Sequence, residues 1–301
     1  MRMLAGLTAM AMLAAPVSAR QPVESCPPPG WTAASLATLK SNQFAIDDPA
    51  ARRSLALGLT ACLGDPRPAL RDGIAFEALT TWMRAGAIER PALGELRDRL
   101  VPMLAGGDAQ GFRGPFAALV LAEVARTDRI AAWMTAGERE ALVQAAAAYL
   151  EGVQDYRAFS DQDGFRHGVA HGADFALQLA LNPATGKPQL DRLLSAIAAQ
   201  VAPRQSVSYH AAEPDRLARP VLFIAQRGLH SDDEWRAWFT RVLAPAPMTS
   251  WDQAFSSELG LAKRHNTRAF LLSLFASISS SENAGVRQLL GPVREGLKQL
   301  P

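Results

Sequence analysis

Three side chains able to carry acid–base or metal-binding chemistry recur at helical spacing in the run HGVAHGAD: His167, His171 and Asp174. Residues three and four apart share a helix face, which stacks the two imidazoles and the carboxylate, with Gln178 one turn further on. Every other position from Gly168 to Leu181 is Gly, Ala, Val, Phe or Leu. A surface helix shows an apolar stripe on a polar body, and this segment inverts that pattern. The spacing therefore predicts a buried helix whose polar stripe faces a partner, a metal, water or a cavity.

Two His at i and i+4 offer two imidazole nitrogens to one metal ion, and Asp174 adds an oxygen. Gly168 stands where the metalloprotease helix carries its Glu, so that motif is excluded. A second group lies in HAAEPDRLAR, with His210, Glu213, Asp215 and Arg216, and His210 follows His167 by 43 residues. That separation is close to one period of stacked helical hairpins, which predicts both segments at the same edge of neighbouring layers. Tyr156 sits in an acidic run with Asp155, Arg157, Asp161 and Asp163, which either folds over the stripe or is simply solvated.

Each cluster also has a plainer use. Glu213, Pro214 and Asp215 form an ordinary helix opening, with Arg216 as a local partner, and the stripe serves equally as a satisfied network that fixes helix packing. Three functions stay open. The first is a binding module taking a polar small molecule or partner protein segment in a pocket of these side chains. The second is a hydrolase, metal-assisted or not, with an imidazole as base oriented by Asp174 and with Glu213 or Asp215 as acid or metal ligand. The third is a scaffold. The residue types fix no cofactor. No Ser or Cys occupies a nucleophile elbow, and no glycine loop suits a phosphate. His230 falls in a turn, and His265 follows Lys263-Arg264 on a face expected to be exposed.

The elements that position these groups read as all-α. Alternation at period two is almost absent, whereas helix punctuation recurs throughout. Starts are legible at Asp48-Pro49, Pro68, Pro91, Gly114-Pro115, Thr135 with Glu138, Glu213-Pro214 and Ser231 with Glu234. Stops stand at Gly64, Gly86 and Gly106-Gly107. The count is about twelve helices, at about 47 residues per pair, the period of a HEAT- or armadillo-like solenoid or an α/α toroid. No repeat consensus is visible. Pro220 removes the hydrogen bond to the Arg216 carbonyl, which predicts a kink. The long interruptions are residues 26–30, 155–165 and 202–212, and the last two flank the helix pair that carries the stripe.

Met1-Arg2, an apolar run to Val17 and the small residues Val17-Ser18-Ala19 have the form of a secretory signal cleaved after Ala19. The expected organisation is a signal peptide over 1–19, a Pro-rich leader over 20–30 and one helical domain over 31–301, periplasmic or secreted, with no transmembrane segment once the signal is gone. Signal removal leaves 30 Lys and Arg against 29 Asp and Glu, scattered along the chain, which is not the basic stripe of a nucleic-acid binder. Cys26 and Cys62 either pair, closing a loop of about 37 residues, or stay apart as a free thiol and a core residue.

Three segments together resemble a known family: RDGIAFEALTTWM (71–83), DYRAFSDQDGFRHGVAHGADFALQLAL (155–181) and HAAEPDRLARPVLFIAQR (210–227). They are similar to the bacterial family catalogued as domain of unknown function 2785. His-x-x-x-His-x-x-Asp combined with Glu-Pro-Asp-Arg is the specific part of the resemblance. Phe165-Arg166 replaces the Trp-Ala expected before the first His, and Pro220 replaces a small helix former. The resemblance implies a helical fold and supplies no catalytic residues.

Overall fold

The computed structural model describes residues 25–105 and 108–301. The signal segment, residues 20–24 of the leader and the stop at Gly106-Gly107 lie outside the described residues. The helices are α1 (Ala33–Ser41), α2 (Pro49–Leu59), α3 (Pro68–Leu70), α4 (Glu77–Arg84), α5 (Arg90–Leu100), α6 (Arg113–Ile130) and α7 (Ala136–Gly152), then α8 (Gly168–Ala180), α9 (Lys187–Val201), α10 (Glu213–Gln226), α11 (Asp232–Val242), α12 (Glu258–Ser279), α13 (Ala284–Arg287) and α14 (Leu290–Gln299). A π-helical turn over Arg71–Phe76 joins α3 to α4 in one continuous run.

Local chemistry sets these boundaries. Asp48 caps α2 by accepting from the amides of Ala50 at 3.0 Å and Ala51 at 3.3 Å, with Pro49 behind it. Thr135 with Glu138, and Ser231 with Glu234, close reciprocal capping boxes on α7 and α11. Gly86, at φ +67°, supplies the left-handed residue after α4. The helix α10 continues through Pro220 to Gln226.

Consecutive helices pack in adjacent pairs and form two layers. One runs α4, α6, α8, α10, α12, and the other runs α2, α5, α7, α9, α11, α14. Between them lie fully buried large side chains, among them Phe112, Phe116, Phe175, Trp235, Phe239 and Phe270. Polar links join neighbours within each layer. In the first, Arg84 meets Glu123 at 2.6 Å, Arg129 donates to Gln178 at 3.2 Å, and Arg216 pairs with Asp174, while Lys40 ties α1 to the layer's first helix through Glu77 at 2.5 Å. In the second, Arg53 pairs with Glu95, Arg97 with Glu138 at 2.7 Å, and Arg192 with Glu151 at 2.5 Å.

The reading of a chain without strands meets one exception. Phe159–Ser160 (β1) and Gly164–Phe165 (β2) pair antiparallel in a small hairpin, with Gly164 at φ +74°. Two residues per strand are too few for an alternating pattern to show. Cys26 and Cys62 are disulfide-bonded, with Cα atoms 5.0 Å apart. Among the described residues no helix is long and apolar enough to cross a membrane.

Candidate functional site

The site forms where α8 and α10 begin. His167 precedes α8 at φ 60° and Ala212 precedes α10 at φ 67°, so each helix begins from a left-handed residue that is not glycine. Such a conformation costs about 1–2 kcal/mol per residue. This corrects one expectation: His167 caps the helix rather than stacking within it, and only His171, Asp174 and Gln178 lie on α8 itself.

The starts of the two helices are tied together. His167 Nε2 lies 2.6 Å from the carbonyl oxygen of Ala211, so that nitrogen carries the proton and donates. The amide of Ala211 donates to Glu213 Oε2 at 2.9 Å, which holds both backbone groups of this residue. Further along both helices Arg216 pairs with Asp174. A remote carboxylate therefore takes the arginine that the sequence also offered to Glu213 and Asp215: the half-buried Asp174 requires a counter-charge, the exposed Asp215 does not, and the buried Glu213 is already held by the Ala211 amide.

His171 is enclosed by rings, its centroid 5.6 Å from that of His167 and 5.2 Å from that of Phe116. Its Nδ1 is buried without a hydrogen-bond partner, and the Pro115 carbonyl lies near the ring. Burial, followed by the charges of His167, Arg216 and Arg71, pulls its pKa down to about 3 against the opposing pull of that carbonyl. His171 is thus a neutral imidazole, sealed from solvent at Nδ1. Burial also raises the Asp174 carboxyl above its ordinary value, in spite of Arg216, Arg219 and His167.

Residues 155–165 roof this junction, as one of the two readings of the acidic run required. Phe165 stacks on His167 at 4.7 Å with planes 22° apart, and Phe159 lies 4.7 Å from Phe165. Both phenyl rings remain open to solvent, Phe159 at 50% and Phe165 at 43% exposure. The roof is pinned from below by two buried arginines. Arg166 donates to Gln110 O at 2.7 Å and to Asp163 Oδ2 at 3.2 Å, and Arg71 donates to Asp163 O at 2.7 Å. Their guanidinium carbons sit 4.3 Å and 3.9 Å from the centre of the Phe112 ring.

Five of the expected site residues, His167, His171, Asp174, Glu213 and Arg216, meet at the α8–α10 junction. Tyr156 lies in the roof, its hydroxyl donating to Val153 O at 2.9 Å and raised in pKa by burial. His210 and Asp215 are exposed, and His210 Nδ1 reaches only Ser208 O at 3.4 Å. His230 is engaged with Asp191 at 2.7 Å, and the exposed His265 with Tyr209 O at 3.1 Å. Among the described residues no group of three His, Cys, Asp or Glu stands close enough to hold a metal ion. Arg71, Arg166, Phe116 and Phe165 belong to the site and were not predicted. The only sequence signal for Arg71, Phe165 and Arg166 was membership of the resembling segments at 71–83 and 155–181, and Phe116 had none.

No curated protein and no solved structure matches the chain. A family model does match, over residues 103–276, more than half of the 301 residues. That span includes α6 to α10, the roof and the starts of both site helices, and the chain belongs to the family described as Protein of unknown function (DUF2785).

Proposed function

We propose that this protein is an exported helical-repeat binding module that takes a polar ligand or partner segment at the roofed junction of α8 and α10. The observation that carries the reading is the state of the groups there. His167, Asp174, Glu213 and Arg216 are each held by a partner at the junction, whereas Phe159 and Phe165 above them remain an open apolar face. A general base works best with a pKa near the operating pH, and an imidazole with a pKa of about 3 is a weak proton acceptor. Binding fits the junction better than hydrolysis does.

The spacing of the interhelix links supports the repeat. Partners in successive helices of both layers are separated by 37 to 49 residues, as in Lys40–Glu77, Arg129–Gln178 and Arg53–Glu95. A near-constant step is what stacked helical pairs produce. Export is supported by the disulfide, a bond of oxidising compartments, following a segment with the form of a secretory signal. The near-neutral charge supports the absence of a nucleic-acid partner.

The engaged pairs also favour a second reading, a scaffold in which the stripe only registers two helices. Thermal-shift screening of small polar molecules against the wild type, His171→Ala and Phe165→Ala separates the two. A shift lost in both variants supports binding, and hits unaffected by either remove the junction as the site. Ester hydrolysis that disappears in His171→Ala replaces binding with catalysis. N-terminal sequencing of the secreted chain tests export, with Arg20 as the expected first residue.

A further inference from the structure

The fold gathers arginines that the sequence scatters. Of the 13 residues of α8, 11 are buried, and only Asp174 and Gln178 reach the surface. This helix is the floor of a shallow trough whose walls are α6 and α10, the neighbours it packs against. Both walls are basic. Arg129 of α6 donates from Nε to Gln178 Oε1 at 3.2 Å, with Arg126 close enough to work against its charge. From the other side Arg216 and Arg219 of α10 both act on Asp174.

The trough holds too few anions for these cations. Glu123 is taken by Arg84, through bonds of 2.6 and 3.0 Å, and Asp174 is taken by Arg216. Asp215, one turn before Arg219, lies in water and makes no ion pair with it. Among the described residues Arg126, Arg129 and Arg219 therefore have no carboxylate partner. Their guanidiniums are accessible, since Arg219 is exposed and no nitrogen of Arg126 or Arg129 is both buried and unbonded. Burial and the charge of Arg126 lower the pKa of Arg129 against the pull of Glu123, a strain that a carboxylate from outside would relieve.

The floor selects among anions. Guanidinium forks pair carboxylates and phosphates alike. Asp174 and Gln178, however, place acceptor oxygens between the walls, which suit a chain carrying N–H donors and repel a chain of phosphates. Arg219 acts at Asp174 and Arg129 at Gln178, one helical turn or about 5–6 Å apart, and alternate side chains of an extended peptide recur at about 6.6 Å. We propose that the trough over α8 binds an extended acidic segment of a partner protein, its carboxylates on Arg129 and Arg219 and its backbone amides on Asp174 and Gln178. This surface is separate from the rings of the roof.

Fluorescence anisotropy of the full chain with a labelled peptide that alternates Glu and Ala over about twelve residues tests the proposal. Saturable binding is expected, weakened by salt, about fivefold weaker to Arg129→Gln and to Arg219→Glu, and unchanged to Phe165→Ala. Arg219→Glu alters an exposed side chain and decides the matter where Arg129→Gln does not fold. Three results overturn the proposal: no saturable binding of this peptide, wild-type affinity in Arg219→Glu, or single-stranded DNA of similar length binding more than about tenfold tighter, which would make the trough a phosphate surface. Loss of binding in Phe165→Ala instead would move the acidic segment to the roof.

Discussion

Arg216→Ala is expected to destabilise the fold more than Asp174→Ala, because the two changes leave different charges behind. The Asp174 side chain is 15% exposed and that of Arg216 is 36% exposed. Without the guanidinium, a carboxylate remains in a site whose burial already raises its pKa, at a cost of about 3 kcal/mol for an uncompensated buried charge. Without the carboxylate, a guanidinium on a long flexible stem swings into water, at a cost of about 1 kcal/mol. At about 2 °C per kcal/mol for a chain of this size, the melting points fall by about 6 °C and 2 °C. The pH dependence has a fixed sign. The folded pKa of Asp174 lies above its unfolded value, so the native state binds the proton more tightly. That contribution is fully present below the unfolded pKa and is lost as pH rises through the folded one. Arg216→Ala raises the folded pKa further, so its penalty is larger at pH 8 than near pH 4, and Asp174→Asn removes this slope. Urea midpoints for the wild type, both single variants and the double variant at the two pH values give the coupling, expected at about 1–2 kcal/mol. Equal losses from the two single variants, or a coupling below about 0.3 kcal/mol, refute the idea that this pair latches α8 to α10.

Three further outcomes are expected. Ala212→Gly, at a residue with φ 67°, should stabilise the chain by about 0.5–1 kcal/mol in urea, whereas His167→Gly should destabilise it through loss of the Ala211 bond and the Phe165 stack; a loss in the first contradicts the strain argument. Gly172→Ala places a methyl 2.9 Å from Leu150 Cδ1 and 3.0 Å from Tyr149 Cε1 and should cost about 1–3 kcal/mol, while Gly137→Ala, with nothing within 4 Å, should be neutral or gain up to about 1 kcal/mol; calorimetric melting points compare the two. Replacing both cysteines by serine removes a link across 36 positions and should cost about 4 kcal/mol by loop entropy, so an unchanged urea midpoint would show that the bond does not constrain the unfolded chain.

The helices were legible because their signals are local. Asp48, Thr135 and Ser231 reach amides two or three residues away, so side-chain chemistry and boundary appear in the same short window. The buried character of α8 was legible for the same reason, since Gly168 to Leu181 carries its own pattern. The way α8 begins was not. His167 is held left-handed beneath a roof whose anchors come from Arg71, 92 residues before Asp163, and from Gln110, 56 residues before Arg166. No window around His167 contains either. The direction of His210 was hidden likewise: it depends on the left-handed turn at Ala212, where alanine gives no sign of it.

Arg216 shows why residue type alone misleads about purpose. Its neighbours Glu213 and Asp215 and the distant Asp174 are equally good partners on paper, but the buried Glu213 is held by the Ala211 amide and Asp215 lies in water, which leaves the half-buried Asp174. Polar residues in an apolar helix mark first the place where two helices must keep register, and the groups spent on register are unavailable to a ligand. In the binding reading proposed above, recognition then falls to what register leaves over, the solvent-open rings of Phe159 and Phe165 in the roof.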